Sequence, residues 1–215
     1  MEIATIVDNN KETFGNYDFA RALEFLNLFP YFKWELQVQS IVPSEVLTIN
    51  LKRAERQVNT GSNEWEQRLF MELIFLESLE NHNLRMWQEK QIDAGEAPFR
   101  GKADFVFTHY QAAFKQPYIV LSEAKKDDFE QGLGQCLMAM EAARRLHERQ
   151  GHRFELYGIV SSGKIWEFGK YSTEKCFYKT DAYTFGQLSL ILGILNQIFT
   201  DCEMYQTSTT TTKKH

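Results

Sequence analysis

The stretch from Lys102 to Lys126, KADFVFTHYQAAFKQPYIVLSEAKK, decides the predicted fold, because it contains two apolar runs that each carry a carboxylate. The runs Lys102 to His109 and Pro117 to Ala124 are nearly continuous in apolar residues, which is typical of central strands covered on both faces. Before them, Leu84 to Ile92 (LRMWQEKQI) alternates roughly between apolar and polar residues, as a half-exposed strand does. Three consecutive strands are therefore predicted.

Helical patterns flank these strands. From about Glu64 to about Asn81, leucines recur every three or four residues, so one face of a helix is apolar. A second helix is predicted to begin after the capping residue Asp128 and to end near Gly151. Phe154 to Val160 and Lys164 to Phe168 then predict a strand and its hairpin partner. The order predicts an α/β fold with a mixed central sheet flanked by helices.

The predicted domain spans residues 61–200. Residues 1–60 are an N-terminal extension, interpreted either as packed on the core or as a docking element. Within it, Asp18 to Phe29 has helical spacing, whereas Gln37 to Leu51 is predicted to form strand-like runs. Residues 201–215 are expected to be a disordered tail, because the sequence there is low in complexity.

The composition and net charge of the chain argue against some classes of protein. The chain has 215 residues, 43% of them hydrophobic, and a net charge of −5, which argues against indiscriminate coating of nucleic acid. Three cysteines without metal-ligand spacing predict a reducing cytoplasm and no zinc site. The most apolar segment, Leu188 to Phe199, is too short to span a bilayer and is interpreted as a buried helix, so no membrane partner is expected.

Three polar side chains interrupt the buried strands. Glu123 and Lys125 are two residues apart, so on a strand they point to the same face. Antiparallel pairing would place the start of one strand, with Asp104, beside the end of the next, with Glu123, and the order and register of the sheet decide whether the two come level. A hard cation such as Mg²⁺ or Mn²⁺ would explain this group, with the backbone carbonyl of Ala124 as a further ligand. A buried ion pair without metal is the alternative.

The segments RGKADFVF, YIVLSEAKK and GLGQCLMAME resemble the PD-(D/E)XK nuclease superfamily, which includes many restriction endonucleases. The family pattern is a helix with a glutamate, a hairpin with Asp and Glu-x-Lys, and a helix with a glutamine. Ala103 stands where the family has a proline. The resemblance covers about Glu64 to Phe168 and implies a restriction endonuclease-like core in αβββαβ order. The matching residues occur in the family order: Glu72, Asp104, Glu123, Lys125 and Gln135.

The resemblance implies an endonuclease that hydrolyses DNA phosphodiester bonds with Mg²⁺ or Mn²⁺. Asp104 and Glu123 would ligate the metal, and Glu72 would assist directly or through water. Lys125 would position the nucleophile, and Gln135 would support the substrate or a water molecule. For Glu72 and Gln135 a second interpretation stays open, in which each is a polar residue at the margin of an apolar helix face.

Basic residues and glycines near these groups suggest how a substrate could be held. These basic residues could bind a phosphate backbone. Alternatively, they form a solvated surface that binds no ligand. Gly132 and Gly134 do not fit a dinucleotide-binding loop and are predicted to let the helix approach the sheet or the substrate closely. The candidate nucleic-acid contacts are Lys102, Lys126, Arg144 and Arg145.

The sequence therefore predicts one of two functions. The first is a metal-dependent DNA nuclease, acting alone, as a homodimer or in a larger restriction or repair assembly. The second is a non-catalytic subunit with the same fold that binds nucleic acid or other proteins.

Overall fold

The computed structural model of the protein describes residues 11–58, 64–115, 118, 120–125 and 128–210. Five α-helices and nine strands make up this part of the chain. The helices are α1 (Phe19–Leu26), α2 (Glu45–Gln57), α3 (Glu64–Leu79), α4 (Phe129–Arg149) and α5 (Leu188–Thr210). The strands are β1 (Glu12–Thr13), β2 (Phe32–Lys33), β3 (Leu84–Asp93), β4 (Phe99–His109), β5 (Val120–Ala124), β6 (Leu156–Ser161), β7 (Ile165–Tyr171), β8 (Phe177–Lys179) and β9 (Tyr183–Thr184).

All nine described strands belong to one sheet, in the order β1-β4-β5-β6-β7-β8-β2, with β3 paired to β4 and β9 paired to β7. The β3–β4–β5 meander is antiparallel, whereas β5 and β6 are parallel and are joined through α4. This confirms the predicted α/β fold with a mixed central sheet and flanking helices.

Each face of the sheet has its own hydrophobic core. On the first face, α1 and α4 pack against residues such as Val106 and Leu121. On the second face, α2, α3 and α5 pack against Phe105, Phe107 and Val120. Consecutive residues within β4, and likewise within β5, therefore point into opposite cores. This explains why the sequences of both strands are nearly continuous in apolar residues.

The N-terminal residues are part of this architecture. β1 and β2 add short parallel strands to β4 and β8. The prediction of strand-like runs from Gln37 to Leu51 is wrong, because residues 37–44 form no strand and α2 begins at Glu45. The hydroxyl of Ser44 caps α2 by accepting the Leu47 amide at 3.0 Å, and burial at Leu47, Leu51 and Ala54 follows a helical period.

The C-terminal helix extends further than predicted. The backbone of residues 201–210 is helical, where the sequence predicted disorder from residue 201 onwards. Cys202 is fully buried in the second core, so the apolar face of α5 continues past the end of the predicted helix. Residues 211–215 lie outside the described part of the chain. Among the described helices, α5 included, none is both long and apolar enough to cross a membrane.

The two glycines of α4 permit close contacts, as predicted. A Cβ atom on Gly134 would lie 2.2 Å from the carbonyl oxygen of Tyr17, a backbone atom just before α1. A Cβ atom on Gly132 would lie 2.6 Å from Cγ of Lys125. Gly134 therefore sets the distance between α4 and the N-terminal segment, and Gly132 sets the distance between α4 and the end of β5.

We expect Gly134→Ala to lower the free energy of unfolding by about 1–3 kcal/mol, because the added methyl group meets backbone atoms that cannot rotate away. The measurement is urea unfolding monitored by circular dichroism. Gly186→Ala is the matched control, since a Cβ atom there meets nothing closer than 3.7 Å. Equal stability of the two variants would contradict the proposed close contact.

Candidate active site

An opening in the sheet lies beside Asp104. β3 pairs with one whole side of β4 over residues 100–109, so β1 and β5 must both pair with the other side. On that side β1 pairs with Phe99 and Arg100, and β5 pairs with residues 105–107. Residues 101–104 lie between these two partners, within the central strand β4.

The regular alternation of β4 breaks at Asp104. Ala103 packs in the first core and Phe105 in the second, although residues two apart on a regular strand share a face. In the β3–β4 register the residue opposite Asp104 is Glu89, which has a left-handed backbone with φ of 49°. The break turns the Asp104 carboxylate towards β5, where its Oδ2 accepts the Ala124 amide at 2.8 Å.

The two predicted metal ligands come together at this break. Phe105 pairs with Ser122, so extending the register by one residue places Asp104 opposite Glu123. Glu123 is only 4% exposed. Burial, and then the adjacent charge of Asp104, raise the pKa of Glu123 well above its usual value, while Lys125 and Arg68 act in the opposite direction. The two carboxylates are therefore neighbours in a site of low dielectric.

Lys125 lies beside the carboxylates at the end of β5. Its backbone amide donates to the carbonyl of Ser161 at 2.8 Å, which fixes the residue against β6. Its side chain passes close to Gly132 of α4 and its charge lowers the pKa of Glu123. The structure thus brings together all three groups that the sequence singled out, namely Asp104, Glu123 and Lys125.

Sequence analysis missed a fourth charged group, Arg68 of α3. Its guanidinium forms an ion pair with Oδ1 of Asp104 and a second one with Glu89 at 2.9 Å. Its Nε atom is buried and has no hydrogen-bond partner in the described structure. The available signal was an arginine one helical turn before Glu72, on the same face of the predicted helix.

Glu72 does not join the two carboxylates. It is partly buried and accepts the side-chain amide of Gln88 at 3.0 Å. Burial raises the pKa of Glu72, and the positive charge of Arg68 opposes this rise. Within the described residues no three or more His, Cys, Asp or Glu side chains are arranged to hold a metal. A direct ligand role for Glu72 therefore finds no support in the geometry.

A groove between α4 and β4 is lined by residues 100–102, which precede Asp104 on the strand. It encloses about 510 Å³ and is lined by Gln135, Lys102, Arg100 and Gln91 together with residues 13–15. Oε1 of Gln135 is buried without a hydrogen-bond partner in the described structure. Lys102 is exposed, as expected of a residue that contacts a ligand from solution. The groove is polar, and its lining includes the basic side chains of Arg100 and Lys102 and the acidic side chain of Asp93.

The other predicted nucleic-acid contacts are placed differently. Arg144 and Arg145 both bind the carboxylate of Glu141, which is 2% exposed, through bonds of 2.6 to 2.8 Å. Burial alone would raise the pKa of Glu141, but the hydrogen bonds and charges of the two arginines lower it. These arginines therefore stabilise a buried carboxylate, and their use as phosphate contacts stays a prediction. Lys126 lies outside the described residues.

Unpaired polar atoms concentrate around the candidate site. Six buried side-chain nitrogen or oxygen atoms lack a hydrogen-bond partner in the described structure, and five belong to site residues or to their immediate neighbours in sequence. Buried polar groups in native proteins are nearly always paired, so the unpaired atoms of Arg68, Glu123 and Gln135 are available to a ligand. Ser122 directly precedes Glu123 on β5 and therefore faces the opposite side of the sheet. The five residues are Gln67, Arg68, Ser122, Glu123 and Gln135.

No protein-family model matches the chain, and no curated protein matches it. The resemblance to the PD-(D/E)XK nucleases therefore stays a prediction from the sequence motif. The geometry is a separate observation, because Asp104 lies on a different strand from Glu123 and Lys125 and the pairing of β4 with β5 brings it beside them.

We expect Glu123→Gln to raise the free energy of unfolding of the metal-free protein near neutral pH, by on the order of 1 kcal/mol, because it removes a carboxyl group whose ionised form is disfavoured in the folded state by burial and by Asp104. A raised pKa in the folded state costs stability only above the ordinary glutamate pKa of about 4.3. The gain should therefore shrink as the pH falls towards that value. Urea unfolding across this pH range, with a chelator present, is the measurement.

Glu141→Gln is the matched control for this prediction. Glu141 is equally buried but is paired with two arginines, so its loss should destabilise the protein near neutral pH. If Glu123→Gln were also destabilising, Glu123 would be a structural ion-pair partner. It would then not be a carboxylate that lowers the stability of the metal-free protein and serves to bind a ligand.

Proposed function

We propose that the protein is a metal-dependent nuclease that hydrolyses DNA phosphodiester bonds, with a restriction endonuclease-like core. One observation supports this proposal above the others. The carboxylates of Asp104 and Glu123 are neighbours on two central antiparallel strands, and Lys125 follows two residues after Glu123.

The donor set fits a hard divalent cation. Mg²⁺ is commonly held by one or two carboxylates, with water and substrate oxygens completing its shell. Glu123 has an unpaired carboxylate oxygen, and Ala124 directs its amide towards Asp104. Because the amide and carbonyl of one strand residue point to the same side, the Ala124 carbonyl is also directed towards β4. Bound there, the cation would polarise a phosphoryl oxygen and make a coordinated water more nucleophilic.

The surrounding side chains suit the remaining tasks of phosphodiester hydrolysis. Lys125 orients the attacking water and offsets the negative charge that develops on the phosphate. Gln135 offers an unpaired carbonyl oxygen to a water or a sugar hydroxyl at the start of the groove. Arg100 and Lys102 line that groove and bind the backbone of the strand being cut.

A specific observation favours a second function, a non-catalytic nucleic-acid-binding or assembly subunit. Arg68 already neutralises Asp104, and the described residues do not form a cluster of three potential metal ligands. In such a protein the arginine would replace the metal permanently. The two functions differ in whether the Arg68–Asp104 ion pair can open for a cation.

We expect the wild-type protein to nick or linearise supercoiled plasmid DNA when Mg²⁺ or Mn²⁺ is added, and not in chelator. Asp104→Ala and Lys125→Ala should each lower the rate by about 100-fold or more, because one removes a ligand and the other a group that stabilises developing charge. The measurement is the initial rate of conversion of supercoiled to nicked plasmid.

Lys115→Ala is the matched control for Lys125→Ala. Lys115 is exposed in the loop that precedes β5, at the opposite end of that strand from the site. Its loss should leave the rate unchanged. Equal nicking by the wild type and both site variants would identify a contaminating nuclease and would remove the support for cleavage by this chain.

Arg68→Gln separates the two functions. If Arg68 occupies Asp104 only until a cation arrives, its removal should tighten Mn²⁺ binding by about tenfold, the loss of one competing ion pair. Isothermal titration calorimetry gives the affinity. Arg85→Gln is the control, because Arg85 contacts Tyr110 and the Gln111 carbonyl instead of the carboxylates. A variant that binds no Mn²⁺ and is less stable than wild type would favour the non-catalytic subunit.

A further inference from the structure

The outer surface of α2 and α3 exposes large apolar side chains. Val46 is 68% exposed, Ile49 41% and Leu76 59%. A groove of about 420 Å³ lies between the two helices and is lined by Val46 and Leu76 together with residues that include Asn50 and Leu73. We call this surface, formed by Val46, Ile49 and Leu76 with the charged residues next to them, the α2 face. A soluble protein with an exposed apolar patch of this kind generally uses it for an interaction.

The charges around the α2 face are divided between its two ends. The amide and hydroxyl of Ser44 both donate to the carboxylate of Glu77 at 2.7 Å, so the start of α2 lies beside the end of α3. Exposed Glu45 and Glu80 are therefore at the same end.

Basic residues occupy the other end of the α2 face. Arg53 and Arg56 lie on the same stripe of α2 as Val46 and Ile49, because these residues recur every three or four positions. Both arginines are exposed, and neither forms an ion pair within the part of the chain that the structure describes. The face thus has an acidic end, an apolar centre and a basic end.

A surface with this distribution is complementary to a copy of itself. In an antiparallel helix pair centred on Ile49, Glu45 of one copy lies opposite Arg53 of the other, since each is four residues from the centre. Twofold symmetry repeats the pair on the other side of the axis. An acidic or basic partner would instead match only one end of the face.

We infer that the α2 face is a homodimer interface, in which two copies of this chain pack α2 against α2 in antiparallel orientation. Val46, Ile49 and Leu76 of each copy bury their apolar side chains against the other copy. The Glu45–Arg53 contacts fix the orientation, because the parallel arrangement would bring like charges together.

Charge reversal tests this inference with the full chain. Sedimentation velocity over a range of concentrations should show a dimer for the wild type. Glu45→Lys and Arg53→Glu should each raise the dimer Kd by about tenfold, since each variant turns two opposite-charge contacts into like-charge contacts. The double variant should recover the wild-type Kd, because it exchanges the two signs. An equimolar mixture of the two single variants should also dimerise, because each copy then complements the other.

Glu24→Lys provides the control, since Glu24 is exposed on α1, on the opposite face of the sheet. It makes the same charge change and should leave the Kd unchanged. Circular dichroism establishes that all variants are folded. A wild type that stays monomeric throughout would overturn the inference. It would equally be overturned if the double variant and the mixture dimerised no better than the single variants.

Discussion

The close approach of two carboxylates, one from the middle of β4 and one from the end of β5, is the constraint on which the rest of the site depends. Two buried like charges repel strongly where the dielectric is low, so the fold must supply compensation. Lys125 provides one positive charge from the strand itself, and Arg68 provides another from α3. The apolar contacts of β4 and β5 in both cores hold the carboxylates in place although they repel each other.

The surrounding elements make this end of the sheet accessible. β1 leaves residues 101–104 of β4 unpaired on one side, and α4 approaches the opening through Gly132. The side chain of Gln131 donates to the carbonyls of Gly15 and Tyr17, which holds the N-terminal segment against α4. That segment forms one wall of the groove. The residues described as an extension from the sequence are thus structural parts of the candidate site.

The central strands and the meeting of Asp104 with Glu123 could be predicted, because both follow from local apolar patterns and from the geometry of an antiparallel pair. The contact of Arg68 with Asp104 could not be predicted, because it depends on how α3 crosses the sheet and on the break in β4. Likewise, nothing in the sequence indicates that Glu141 faces inwards and engages the neighbouring arginines. The helix α2 was missed because its β-branched residues resemble a strand, while its start depends on a single cap at Ser44.

The balance of charge at the site connects its metal-free state to its proposed substrate. With Glu123 protonated, the negative charges of Asp104 and Glu89 match the positive charges of Arg68 and Lys125. Ionisation of Glu123 on binding a divalent cation would leave one positive charge in excess. A phosphodiester carries one negative charge, so its arrival would restore neutrality in a region that water screens poorly. Without a cation and with the proton on Glu123, the charges of these groups sum to zero. Arg68 can therefore stabilise the metal-free site and need not prevent the binding of a cation and a phosphodiester.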